Sequence, residues 1–242
     1  MIVINQKRIK IILSCILISL FVFTAKTYNE QNKNDGGENI QTTATPASGK
    51  TIIIDAGHGT PDEGAQSSSG TTEAQTNLKI ALKLQNLLEQ NGSKVILTRS
   101  DNNAIYDLDS KTLKQKKISD IKNRVKIGNG NSADIFVSIH LNKIPQSEYY
   151  GWQCFYNTKN EKSIELAKKI QENLNEAIQK ENTRVAMKLN TVYIMKNIEI
   201  PISIVECGFL SNPEEEKKLL EDSYQDRLAW GIYNGILDYF YN

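Results

Sequence analysis

The sequence predicts one α/β domain: a twisted, mixed, mostly parallel sheet of about six strands flanked by helices. Two observations carry this. From Thr51 onward, short β-branched runs alternate with longer amphipathic stretches, the pattern that builds a sheet covered by helices. The first run, Thr51–Ala56, is also apolar without period-two alternation, which marks a strand buried on both faces. The length of 242 residues accommodates one sizeable domain and a tail, and a net charge of +1 gives no electrostatic footprint for nucleic acid.

The tail comes first. Lys7, Arg8 and Lys10 precede an uncharged apolar stretch over residues 11–25, the order of a signal or anchor segment. The stretch is short for a membrane span, and Phe23 leaves the cleavage site poorly defined. Residues 1–25 are therefore expected to direct export and to contact a membrane. Residues 26–49 are polar and rich in Gly, Asn and Thr, the composition of a linker, which leaves 50–242 as the folded domain. Within it, strands are predicted at residues 51–56, 94–98, 134–140, 152–156, 191–195 and 202–206. The first long helix spans 73–90, where Leu78, Ala81, Leu82, Leu84, Leu87 and Leu88 recur near helical spacing and Asn91-Gly92 ends the run. Residues 118–131, 161–179 and 223–241 read the same way, and Asn212-Pro213 opens a short helix through Leu220.

The chemistry is constrained by scarcity. Of three cysteines, Cys15 lies in the apolar tail, and Cys154 and Cys207 form no CxxC pair, so neither a disulfide framework nor cysteine-bound zinc is expected. Imidazole chemistry must use the only two histidines, His58 and His140. His58 sits in Gly-His-Gly just after the first strand, His140 ends "ADIFVSIH" and Glu206 ends "PISIVE". Ligands of open α/β sheets bind beyond the carboxyl ends of strands, where all three fall. Glu73, opening the first long helix, is the natural carboxylate to join the histidines. Two imidazoles, one carboxylate and an open fourth position make a catalytic rather than structural zinc site, leaving Glu206 as a base that is not a ligand.

Each of these residues has a plainer reading. His58 could be an exposed turn residue, and Glu73 an acid favoured by the helix dipole. Asp55 could orient a ligand imidazole or merely form a turn. Asn142 could bind substrate or cap a turn. The lysines of residues 114–126 read as a solvated helix face, and Cys207 as a small buried residue. Glu206 is harder to dismiss, because a charge ending an apolar strand is costly without a partner.

The ordered blocks "IIIDAGHGTPDEGA", "GTTEAQTNLKIALKLQNLL", "VILTRSD", "NRVKIGN", "ADIFVSIHLN" and "PISIVECGFLSNPEEEKKLL" resemble the zinc-dependent N-acetylmuramoyl-L-alanine amidases (amidase type 3), over residues 51–239. The resemblance implies one zinc held by His58, Glu73 and His140, with Glu206 as catalytic acid/base. The substrate is then peptidoglycan, cleaved between N-acetylmuramic acid and the L-alanine of the stem peptide. Ala56 stands where the family often has proline, and Thr60 where it often has glycine; neither removes a functional group. The connection "LNKIPQSEYYGWQCFY" is too short for the long helix that plugs the cleft of division-associated members. "SIHLNKIP", "GWQCFY" and the insert "IYDLDSKTLKQKKISDIKNRVKI" look most like the sporulation- and germination-specific branch. That implies an extracytoplasmic site at the forespore or cortex, ahead of muramic-δ-lactam formation. A protein partner that activates the enzyme or stabilises its metal is a further expectation, with residues 111–126 as its docking place. Two alternatives stand beside this reading: a zinc peptidase acting within the stem peptide, and a non-catalytic wall-binding protein.

Overall fold

The computed structural model describes residues 44–241. The expected signal segment and most of the expected linker lie outside them. Residues 44–49, assigned to the linker by composition, are packed: Ala47 is fully buried, and Thr45 Oγ1 donates to the Asn91 carbonyl. The chain then runs β1 (Thr51–Ala56), α1 (Glu73–Gln90), β2 (Lys94–Leu97), α2 (Leu113–Gly130), β3 (Ile135–Asn142), β4 (Gln153–Tyr156), α3 (Glu161–Ile178), β5 (Met187–Lys188), α4 (Tyr193–Asn197), β6 (Ile202–Phe209), α5 (Pro213–Leu220) and α6 (Asp222–Tyr241).

The strands form one six-stranded sheet in the order β2-β1-β3-β6-β4-β5. β2, β1, β3 and β6 run parallel, β4 pairs antiparallel to β6, and β5 runs parallel to β4. The mixed, mostly parallel α/β sheet expected from the sequence is what the chain forms. β1 explains its own composition. Ile52 and Ile54 pack with Leu84, Leu88, Ile170 and Ile232 from α1, α3 and α6 on one face, and Ile53 packs with Phe136, Ile194 and Ile202 on the other. A strand covered on both faces has no position left for a polar alternation.

One predicted strand is wrong. Residues 191–195 do not form a strand; the sheet edge is the two-residue β5, and Tyr193–Asn197 is a short helix. Ile194, Met195 and Ile198 are buried while Tyr193 is exposed, which is helical rather than period-two spacing. α2 also begins earlier than its apolar pattern suggests, because Thr112 and Gln115 close a capping box ahead of Leu113. β3 and β6 continue past His140 and Glu206, which therefore lie within their strands, a few residues short of the ends. Residues 143–152, between β3 and β4, contain no helix.

Candidate active site

The carboxyl ends of β1, β3 and β6 bring the singled-out residues together. β1 ends at Ala56, and His58 follows in the left-handed region at φ 62°. His140 on β3 is the direct cross-strand neighbour of Glu206 on β6, and the β3–β6 register shifts between His140 and Asn142. Glu73 is the first residue of α1 and is 3% exposed. Its carboxylate bridges the two imidazoles: Oε1 is 2.9 Å from His140 Nδ1, and Oε2 is 3.3 Å from His58 Nε2. The backbone amides of Leu141 and Ala65 donate to the same two oxygens, at 3.1 and 2.8 Å. The dipole reading of Glu73 thus misses what the fold does with the side chain.

One donor atom from each of His58, Glu73 and His140 lies within 4.8 Å of the others, a set that can hold a metal ion. Two further features fit that use. His58 Nδ1 is 3.2 Å from Asp62, which orients the ring so that Nε2 faces Glu73. A Cβ on Gly57 would come within 2.3 Å of the His140 ring, and one on Gly64 within 2.6 Å of Glu73 Oε2, so these glycines close the backbone directly onto the donors. Burial works against the charge on His58, but hydrogen bonds to Asp62 and Glu73 outweigh it and raise its pKa to about 9. Burial likewise opposes ionisation of Glu73, yet His140 and His58 hold it well below the usual carboxylate range. The cluster is electrostatically set to hold positive charge.

Glu206 is different. Its Oε2 is buried without a hydrogen-bond partner, the condition of an acceptor waiting for a group the fold does not supply. Burial, with some help from the Glu73 charge, raises its pKa to about 7 against the pull of His140 and His58. It opens on a cleft of about 370 Å³ whose floor includes His58 and His140 and whose walls are Lys117 and Ile121 of α2 and Leu189, Val192 and Ile194. A larger groove of about 1240 Å³ lies at the opposite ends of the parallel strands, lined by both signs of charge, including Lys50, Asp134, Lys159 and Glu199.

The remaining expected residues fare less simply. Asp55 accepts from Thr98, Ser138 and Arg124 rather than from an imidazole. Asn142 lies past the register shift, gives its carbonyl to the Leu210 amide, and is outside the residues lining the cleft. The solvated-face reading of residues 114–126 holds at the half-exposed Lys117 and fails at Arg124. Lys117 Nζ pairs with Asp62 at 2.8 Å, and Arg124 is 3% exposed, with one guanidinium nitrogen 2.6 Å from the His58 carbonyl. The sequence reading also passes over Asp62, Arg99 and Asn77. Asp62 has a local signal, since it stands four residues from His58.

Two imidazoles bridged by a carboxylate, beside an unpartnered glutamate at the carboxyl edge of the sheet, can hold a metal and move a proton, the equipment of a metal-assisted hydrolase. The N-acetylmuramoyl-L-alanine amidase family model matches residues 52–238, and the chain belongs to that family. It is 38% identical over 195 residues to the germination-specific N-acetylmuramoyl-L-alanine amidase of Bacillus subtilis, covering 81% of each chain. Among solved structures it is similar to the CwlD amidase of Clostridioides difficile in complex with the GerS lipoprotein. That match has a TM-score of 0.77 and 46% identity, covering 78% of this chain and 98% of that one. An N-acetylmuramoyl-L-alanine amidase from Clostridium difficile 630 matches with a TM-score of 0.69 and 32% identity, over 79% of this chain and 97% of that one.

Proposed function

We propose that this protein hydrolyses the amide bond between N-acetylmuramic acid and L-alanine in spore-cortex peptidoglycan, with one zinc ion held by His58, Glu73 and His140. The observation that carries the reading is the juxtaposition of His140 and Glu206 across β3 and β6, with Glu73 bridging both imidazoles. When bound, zinc supplies Lewis acidity toward the carbonyl and lowers the pKa of a water. Glu206 would take a proton from the attacking water as the water oxygen bonds to the lactyl carbonyl carbon. It returns the proton to the alanine nitrogen as the C–N bond breaks. Burial raises the pKa of this carboxyl group above the ordinary carboxylate range, which suits it to both transfers.

The cortex assignment rests on likeness to the germination-specific relative and to CwlD. Export, with membrane contact through residues 1–25, rests on the basic start and apolar run; no helix among the described residues is long and apolar enough to cross a membrane. The limit at 25 belongs to the same reading, whereas residues 44–49, read as linker from composition, pack with the domain. The complex of CwlD with a lipoprotein supports a protein partner here, with the exposed lysines of residues 111–126 as its docking place. The test is mass spectrometry of muropeptides after digestion with and without added zinc. The reading expects new N-terminal L-alanine only with zinc. Cleavage inside the stem peptide supports the peptidase instead, and no cleavage supports a non-catalytic wall-binding protein.

A further inference from the structure

His58 is held in a backbone conformation that side-chain-bearing residues rarely adopt, and it is reached through a strand end whose carbonyls leave the sheet. Three consecutive carbonyls, those of Ala56, Gly57 and His58, are all taken by buried side chains. Arg99 donates through Nε to Ala56 at 2.8 Å and through Nη2 to Gly57 at 3.0 Å. Asn77 donates to Gly57 at 3.2 Å. Arg124 donates through Nη1 to Ala56 at 2.8 Å and through Nη2 to His58 at 2.6 Å. Arg99 Nη2 also donates to the Ala74 carbonyl at 2.7 Å, in the residue after Glu73. One guanidinium therefore ties the loop carrying His58 to the helix turn carrying Glu73.

These side chains are 0–4% exposed, and the charges are balanced by Asp55 and Asp120 on Arg124. Buried ion clusters are poor sources of stability, and their best-attested use is to specify one arrangement among several. A planar fork with fixed donor directions suits that use, and a lysine cannot reproduce it. We propose that Arg99 and Arg124, assisted by Asn77, are positioning residues that set the spacing of the His58 and Glu73 donor atoms before any metal arrives. The inference rests on the zinc reading above, and it assigns the metal site's preorganisation to a clamp on backbone carbonyls.

The test uses full-length protein purified without a histidine tag, so that selective labelling gives only the resonances of His58 and His140. In zinc-free Arg124→Lys the His58 ring signal should broaden or split while that of His140 stays sharp. Zinc affinity, measured by chelator competition, should weaken by about 10–100-fold, the usual effect of losing an outer partner of a metal ligand. Ile170→Ala, a buried change on α3 that touches neither arginine's hydrogen bonds nor the histidines, is the control for general destabilisation and should leave the zinc Kd unchanged. A folded Arg124→Lys with wild-type zinc Kd and a sharp His58 signal overturns the proposal, as does an equal loss of affinity in the Ile170→Ala control. Should Arg124→Lys not fold, Asn77→Leu decides. It removes one donor to Gly57 together with an oxygen that has no partner, and an unchanged zinc Kd there overturns the proposal equally. Failure of the wild-type protein to bind zinc would count against the zinc reading alone, since the His58 signal is read without metal.

Discussion

Replacing Glu206 by glutamine should make the metal-stripped protein more stable and the zinc-loaded enzyme inactive. The reason lies in the carboxyl group's surroundings. Burial raises its pKa from 4.5 to about 7, and its Oε2 has no partner. Below pH 4.5 the group is protonated whether the chain is folded or not, and its stabilising contribution is fully present. Between pH 4.5 and 7 the folded state binds more protons than the unfolded state, so stability falls as pH rises. Above pH 7 the folded protein carries the whole penalty, at most about 3 kcal/mol for that shift at 1.36 kcal/mol per unit. Glutamine has the same shape and never ionises. Urea titrations of chelator-treated protein should therefore show Glu206→Gln matching wild type at pH 4.5 and exceeding it by up to about 3 kcal/mol at pH 8. Titrating groups remote from Glu206 are common to both proteins and cancel in the difference. With zinc restored, turnover on peptidoglycan should fall by about 10²–10⁴-fold, as for a lost general base. A variant no more stable than wild type at pH 8, or one that keeps its turnover with zinc bound, would refute the reasoning.

Three further outcomes are expected. His140→Ala should lose stoichiometric zinc, because Glu73 and His58 alone leave the donor set incomplete; tightly held metal in that variant, by elemental analysis, would remove His140 from the set. Gly57→Ala places a Cβ 2.3 Å from the His140 ring, so the ring must move; zinc retained at fixed free metal should drop by about tenfold or more with the circular dichroism unchanged. Thr112→Ala breaks the capping box of α2 and should lower unfolding free energy by about 1 kcal/mol without altering kcat/KM, as read by urea titration and muropeptide release.

The buried lysine-flanked arginine shows why some of the site was hidden in the sequence. In residues 114–126 the spacing of charges describes a helix face, and for most of its lysines that is a complete account. Nothing local says that Arg124 turns inward to meet carbonyls 66 and 68 residues away, or that Lys117 reaches Asp62. The misread segment at 191–195 has a similar origin. A short run of Val, Ile and Met suits a strand or a buried helix equally, and only its packing against Phe136 and Ile204 decides for the helix.

The sequence alone determined five of the six strands, because continuous β-branched runs between amphipathic stretches have few ways to bury their apolar surface. It also determined which side chains could carry the chemistry, because a chain with two histidines offers no other imidazoles, and both fall where parallel strands end. Tertiary structure decided the rest: that Glu73 bridges both imidazoles, that Glu206 faces His140 across the strand pair without a partner of its own, and that two arginines hold the turn at His58. Local pattern reports which face of an element is buried. Distances between side chains far apart in the chain depend on how those faces pack, which no window of sequence contains.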